Sequence, residues 1–501
     1  MPDLESLRFG RALALATIAV GIAVGAATAQ DLPLAQVLPD LILREIVLQS
    51  STAVTGFPHT AHFQPGINEP NNPVVAIVEG FNSQVATQFS TFPLGSSSGG
   101  ITYVFDETVG TFRRSSRSFG PLFAERALTI GRRKLNAGFN YQHTSYDRFE
   151  GQDLDDGSIK FYLRHNDCCG FTDPSTLTGF RLVGDGTRVN PPFEGDLIEA
   201  ALSLKATTHT TALFANYGVT NRWDIGIAVP IVHVNLDASV TARVLRFATN
   251  PPPEAALTEQ QRRDSLDVHT FELGNPNATR TIARSGRATG IGDVAVRTKY
   301  QVLRGAGGGL AAALDLRLPT GDENELLGTG GVQAKFMLVA SSERGRFGQH
   351  VNFGYTAASG EVAGALGGLT SAQVPDEMNY SGGVEFVAHP RVTVIGDVVG
   401  RTLRDAGRLD VVNKNFEWNE PSPLLGRIGP GCGGFVGFTC RTVSFPEFAP
   451  RGGNLTLMLG TAGAKVNLSG NLLLSGSVLF PLNDAGLRSR VTTVVGLDYA
   501  F

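Results

Sequence analysis

The sequence predicts an all-β fold, a transmembrane antiparallel β-barrel, on three observations. Apolar residues recur at every second position through one segment after another, the period of a strand with two unlike faces. Tight turns and long loops alternate between those segments, as in barrels with one short-turn rim and one long-loop rim. Past the N-terminus, no stretch reaches the roughly 18 uninterrupted apolar residues that a membrane helix needs. One closed sheet also accommodates a chain of 501 residues with 60 glycines and only 18% charged residues. The expected count is about 12 strands, or about 14 if the region 100–130 adds a hairpin.

The last segment sets the pattern. Phe501, Tyr499, Leu497, Val495 and Val491 share one face with Thr493, while Ala500, Asp498, Gly496, Thr492 and Arg490 share the other with Val494. This division turns Leu497, Tyr499 and Phe501 to lipid, and Asp498 and Arg490 to the lumen. The aromatic end falls where an interface girdle would sit.

The same alternation runs through 134–145, 293–302, 310–318, 332–338, 351–356 and 391–401. It is blurrier at 197–217, 223–245, 378–389, 453–468 and 470–482. The tight connections lie near 218–222, 304–308, 343–346, 389–390 and 469–471. Long ones cover about 149–196, 246–288, 321–330, 360–377 and 405–452, and only the connection near 483–486 is short on that side. The polar faces carry Lys134, Arg297, Lys299, Asp315, Arg317, Lys335, Glu385, Asp397, Arg401, Lys465 and Asp498, the candidate lumen-lining residues. Charges of both signs on one face suit a wet interior, where they can pair. A secreted β-rich protein with two packed sheets is the alternative, but it gives no reason for the rhythm of the connections.

Residues 1–29 read as an export signal. Arg8 and Arg11 precede an apolar run from Ala12 to Ala27, and Ala27-Thr28-Ala29 is a small-residue cleavage site. The destination is then secreted, periplasmic or, with a barrel, the outer membrane of a Gram-negative bacterium. Residues 30–130 are expected to form an N-terminal extension or plug with short helices near 41–48 and 81–92, and 131–501 the barrel. Pro65 to Pro73 is too rich in Pro and Asn for regular structure, and Gly95-Ser96-Ser97-Ser98-Gly99-Gly100 is a flexible link.

No chemistry-bearing constellation stands out. There is no GxSxG elbow, HExxH or Walker loop, so catalytic residues, cofactor and metal are all expected to be none. His209, His233 and His350 are expected at the surface or girdle. Asp153-Leu154-Asp155-Asp156-Gly157 lacks the spacing and distal Glu of a calcium loop and reads as a solvated turn. A formal charge of -4 without a basic cluster argues against nucleic acid as a partner. Cys432 and Cys440 can close a small local loop, and adjacent Cys168 and Cys169 cannot bridge each other without strain, though four cysteines leave three pairings open. The loop bearing Phe416, Trp418, Phe435, Phe438, Phe445 and Phe448 either packs on itself or, through Phe435 and Phe438, captures apolar ligands outside the cell.

Thr289-Gly290-Ile291-Gly292-Asp293-Val294, Leu318-Pro319-Thr320-Gly321-Asp322 and Leu327-Gly328-Thr329-Gly330 resemble motifs of the outer-membrane transporter family linked to meta-pathway phenol degradation. That family is related to barrels that take up fatty acids and aromatic hydrocarbons. The resemblance implies a channel for passive uptake of small hydrophobic or aromatic compounds; a structural or surface-recognition barrel without transport is the alternative. Tyr499-Ala500-Phe501 is similar to the aromatic-ended signal read by the barrel-assembly machinery, with Leu497, Tyr499 and Phe501 as its residues. The implied partners are that machinery, outer-membrane lipid and lipopolysaccharide, and a small hydrophobic or aromatic ligand.

Overall fold

Alternating sequence becomes a wall when each strand finds two neighbours. The computed structural model describes residues 32–49, 63, 73–91, 95–96, 100–106, 111–166, 170–173, 178–181, 195–247, 269–272, 275, 277–305, 308–362, 372–421, 431–432 and 438–501. The wall strands are β1 (Leu135–Tyr146), β2 (Leu197–Gly218), β3 (Trp223–Leu245), β4 (Val294–Gly305), β5 (Gly308–Leu318) and β6 (Gln333–Arg344), then β7 (Phe347–Ala358), β8 (Glu377–His389), β9 (Val392–Leu403), β10 (Leu455–Ser469), β11 (Leu472–Pro481) and β12 (Thr492–Ala500). Each pairs antiparallel with the next, and β12 returns to β1 from Thr492↔Thr144 to Ala500↔Asn136. The result is a closed transmembrane β-barrel of 12 strands, with no free edge to leave backbone groups unsatisfied in lipid. The region 100–130 adds no wall strand. Its hairpin, Tyr103–Asp106 with Thr111–Arg114, is a separate sheet.

The outward positions form the lipid belt. Val351 (65% exposed), Phe336 (59%), Leu338 (58%) and Val384 (58%) stand clear of the wall, while their neighbours Asn352, Met337 and Glu385 are buried inside. At the tight-turn rim, Tyr217, Trp223, Tyr300, Phe347, Tyr499 and Phe501 make an exposed aromatic ring. Three ladder irregularities, at Gln301/Leu303, Val387/His389 and Asn467/Ser469, sit at the same rim, a usual place for bulges in barrels. Gly345 and Gly470, both with positive φ, turn the chain there.

β2 and β3, with 22 and 23 residues, run far past the roughly 9–11 residues that cross a bilayer. Beyond the belt, β2 pairs with Ile159–Arg164 and β3 with Thr279–Ile291. The first lies within the span 149–196 expected to be a loop, and the second runs past the end of the loop expected at 246–288. Below them β3 pairs with β4, and the changeover falls beside Pro230, whose carbonyl accepts Gly292 N. β12 begins at Thr492, so Arg490 belongs to the preceding loop, exposed and paired with Asp147 and Asp153, and does not face the lumen.

Two helices pack beyond the belt, one against β3 and Thr279–Ile291, the other against Ile159–Arg164 and the strands Arg408–Pro421 and Phe438–Arg451. α1 (Leu34–Leu43) starts and stops earlier than the expected 41–48, and α2 (Pro73–Ser90) starts eight residues before the expected 81. Pro73 occupies the first position of α2, where its missing N–H costs nothing. Pro39 lies inside α1 and cannot donate to the carbonyl of Ala35, which instead accepts from Asn82 Nδ2 of α2 at 2.9 Å. Ala35 N, one of the free donors of the first turn, reaches Asn324 O at 2.9 Å. Phe81 is fully buried against Phe149 and Phe161. No helix among the described residues is long and apolar enough to cross a membrane.

Replacing Asn82 with Leu leaves the Ala35 carbonyl buried without a donor, at a cost of about 1–3 kcal/mol. Hydrogen exchange in 34–43 should accelerate accordingly, while the wall amides of β5–β7 keep their protection.

Candidate functional site

The lumen is filled by residues 95–96, 100–106 and 111–131, a stretch with little regular structure. Its backbone groups cannot meet water freely, so the wall must supply their partners. Phe119 N donates to Thr393 Oγ1 (3.1 Å), Gly120 N to Glu385 Oε2 (3.1 Å), and Leu122 N and Phe123 N both to Asp397 Oδ2 (3.2 Å). Ala127 N donates to Ser341 Oγ (3.0 Å) and Ile130 N to Asp224 Oδ2 (3.0 Å). In the opposite sense, Lys465 Nζ donates to Pro121 O (2.7 Å) and Lys299 Nζ to Arg126 O (3.2 Å). Ser116 Oγ and Arg117 N close the set on the Glu343 carboxylate at 2.6 and 2.8 Å. Carboxylates thus take most of these N–H groups, hydroxyls of Thr393 and Ser341 take two, and ammonium groups meet the carbonyls; the bonds to charged groups are the stronger, charge-assisted form.

His350 stands at the centre of this array. It is 2% exposed, with Nε2 2.9 Å from Asp397 Oδ1 and Nδ1 3.4 Å from Glu385 Oε1. The surface position expected for it is therefore wrong: an even step along β7 puts it in the lumen beside Asn352, not among the lipid-facing residues. His209 and His233 do lie on the outer face. His209 Nδ1 bonds the Tyr141 hydroxyl at 2.7 Å, and the ring centroids of His143 and His209 are 4.6 Å apart.

The other sequence-derived lumen residues divide by neighbour. Arg297 pairs with Asp315 at 3.2 Å and donates to Gly95 O; Arg401 pairs with Glu377 at 3.3 Å. Arg401 also donates to Thr91 O, so the C-terminal carbonyls of α2 meet a cation, a favourable end for the helix dipole. Asp498 and Lys465 border one small recess with Gly100. Lys134 lies at the rim, its ammonium over the rings of Tyr103 (4.9 Å) and Phe112 (4.8 Å). Arg317 and Lys335 face a cavity of ≈ 130 Å³ between the inner segment and the wall.

Sequence reasoning missed Asp224, Glu343, Ser341 and Thr393. All four sit on the inward face by parity, so the available signal was the alternation itself, read for every polar residue rather than for charges in the clearest strands.

Outside the wall, Cys432 and Cys440 are joined by a disulfide, while Cys168 and Cys169 lie outside the described residues. Phe435 also lies outside them, and Phe438 begins the strand Phe438–Arg451, which pairs with Arg408–Pro421. Phe416, Phe445 and Phe448 of this hairpin are buried; Phe445 stacks on Tyr162 at 4.1 Å and Phe448 meets Phe149. Asp153 is 3.4 Å from Arg148, and Asp156 accepts Ser158 N in a local turn.

The glycine-rich motifs form a clasp. Asp293 Oδ1 accepts Gly321 N (3.1 Å), and Oδ2 accepts both Thr329 N (3.0 Å) and Thr329 Oγ1 (2.8 Å). Thr320 Oγ1 bridges Gly292 O and Val294 N. A Cβ on Gly328 would lie 2.5 Å from Asp293 Oδ1 and 2.7 Å from Gly321 Cα, so the approach requires glycine. The clasp turns Leu326 and Leu327 inward to the core under α1.

Residues 181–407 match the family model described as "Putative MetA-pathway of phenol degradation". All three motif blocks and most of the wall lie within the matched residues. No match to a curated protein was found. Among solved structures, an outer membrane channel from Pseudomonas putida F1 matches at 9% identity, covering 75% of this chain and 98% of its own, with a TM-score of 0.39. The Ralstonia pickettii toluene transporter TbuX matches at 9% identity over 74% of this chain and 90% of its own, with a TM-score of 0.30. A Pseudomonas aeruginosa FadL homologue gives 10% identity, the same coverages and a TM-score of 0.29. At such TM-scores these likenesses lend nothing to the reading of the site.

Asp293→Ala removes the acceptor for three buried donors in the clasp and should cost at least about 2 kcal/mol. Limited proteolysis of the folded barrel should then cut within 319–332 several-fold faster, with the β12–β1 seam intact.

Proposed function

We propose that this chain is a monomeric outer-membrane channel for passive uptake of small hydrophobic or aromatic compounds, with the segment 111–131 as its plug. The observation that carries the reading is the lumen cavity of ≈ 130 Å³, enclosed by a membrane-spanning wall and bounded by a segment held through polar bonds. Charge-assisted bonds of this kind exchange for water at a net cost of about 1.5–3 kcal/mol each, so the segment can shift a few bonds at a time without unfolding the wall. The cavity mixes Phe123, Tyr146, Tyr380, Met337 and Leu459 with charged groups, a lining that accepts an aromatic body. The family's link to phenol degradation supports the same class of solute. Lipid contacts the apolar belt, and the extended β2 and β3 reach the lipopolysaccharide layer. Leu497, Tyr499 and Phe501, all on the lipid side of the closing strand, serve as the signal for the assembly machinery.

The occluded lumen favours a second reading, a structural or surface-recognition barrel without transport. Uptake separates the two. Gram-negative cells displaying the protein should take up labelled phenol several-fold faster than vector controls at low concentration; equal rates with verified surface display would end the transport reading. Deleting residues 100–130 should turn a silent barrel into one with stepwise conductance in planar bilayers.

The assembly role has its own measurement. Loss of Phe501 removes one exposed ring in contact with Tyr499 at 4.7 Å. Its effect on the heat-modifiable, folded fraction in cells should exceed its effect on the urea midpoint of barrels refolded in detergent.

A further inference from the structure

The charges around the main lumen cavity do not balance. Arg297, Arg317, Lys335, Arg401 and Arg488 border it, against Glu125, Asp315 and Glu377. Each of the carboxylates is already committed: Asp315 to Arg297 at 3.2 Å, Glu377 to Arg401 at 3.3 Å, and Glu125 to Lys299 at 3.6 Å. Asp315 lies directly opposite Lys335 in the β5–β6 register, yet turns to Arg297 instead. Arg317 and Lys335 both line the cavity and make no direct hydrogen bond or ion pair among the described residues, Asp315 and Glu377 acting on them only at longer range. Arg488, 5% exposed, borders the same space and has a buried Nε without a partner.

Unpaired cations inside a protein carry a desolvation cost that an incoming anion offsets. A guanidinium and an ammonium converging on one space suit a carboxylate, which the arginine can take in bidentate fashion. Apart from the charges, the lining is mixed: Phe123, Tyr146, Tyr380 and Met337 supply apolar and aromatic surface beside uncharged polar groups such as Gln333, Asn352 and Thr356. Resting on the reading of the barrel as a path across the membrane, we infer that this cavity is a binding site for a small aromatic carboxylate, its carboxylate held by Arg317 and Lys335 and its ring against Phe123 and Tyr380. Neutral aromatic compounds lose the ionic half of this recognition, and inorganic anions lose the apolar half.

Isothermal titration of the full-length protein in detergent tests the site directly. Benzoate should bind at least ten-fold more tightly than benzyl alcohol, acetate or inorganic phosphate. Arg317→Gln with Lys335→Gln should weaken benzoate at least ten-fold and leave benzyl alcohol unchanged, while Arg317→Lys stays within a few-fold of wild type. Equal binding of benzoate and benzyl alcohol would overturn the inference, as would phosphate binding as well as benzoate. If the double variant fails to show heat-modifiable mobility, the four-ligand comparison on the wild-type protein decides alone. The two readings fail separately: benzoate binding without uptake of any aromatic compound removes transport and keeps the site, whereas phenol uptake without a benzoate preference does the reverse.

Discussion

Closure of the wall is the constraint on which everything else in this molecule depends. In hydrocarbon an unpaired backbone group costs several kcal/mol, so a sheet with an edge is not an option there. The C-terminal strand removes the edge by pairing with β11 on one side and β1 on the other. Once the seam is closed, parity along each strand dictates which residues meet lipid and which meet the interior. Leu497 and Tyr499 are then committed to one side and Asp498 to the other, with no freedom to exchange.

Closure creates the second problem, an interior lined with charge. The chain answers it with its own N-terminal stretch. The carboxylates of Glu385, Asp397 and Glu343 receive backbone N–H groups, and the ammonium groups of Lys299 and Lys465 receive carbonyls. The same polar face that a wide pore would leave to water is used here to hold a segment that has no periodic structure of its own. Arg317 and Lys335 are exceptions, and both border the cavity between segment and wall.

The glycine motifs that carry the family resemblance act at one remove from the lumen. Asp293 gathers Gly321 and Thr329 around the end of β4, and the loop so folded presents Asn324 O to α1 and Leu327 to the core. Tight sequence requirements at this clasp follow from backbone approach, not from contact with a solute. The motif therefore identifies the fold's outer loop more directly than it identifies a ligand.

The strands, their faces and the parity of the connections are legible in the chain alone, because a period of two is a local property and each residue's side follows from its neighbours. That covers the wall and the inward placement of most of its charges. It did not reach Arg490, which lies one turn beyond its strand, nor His350, an inward residue on a strand whose inner face was read only at Asn352 and Thr356. Nor did it fix the helices: Pro39 reads locally as a break, and only Asn82, 47 residues apart in sequence from Ala35, removes the penalty. What the tertiary structure alone decided is who meets whom inside the barrel. Hydrogen bonds such as Phe123 to Asp397 join residues 274 apart, and no local pattern encodes a contact whose partners are brought together only when the sheet closes.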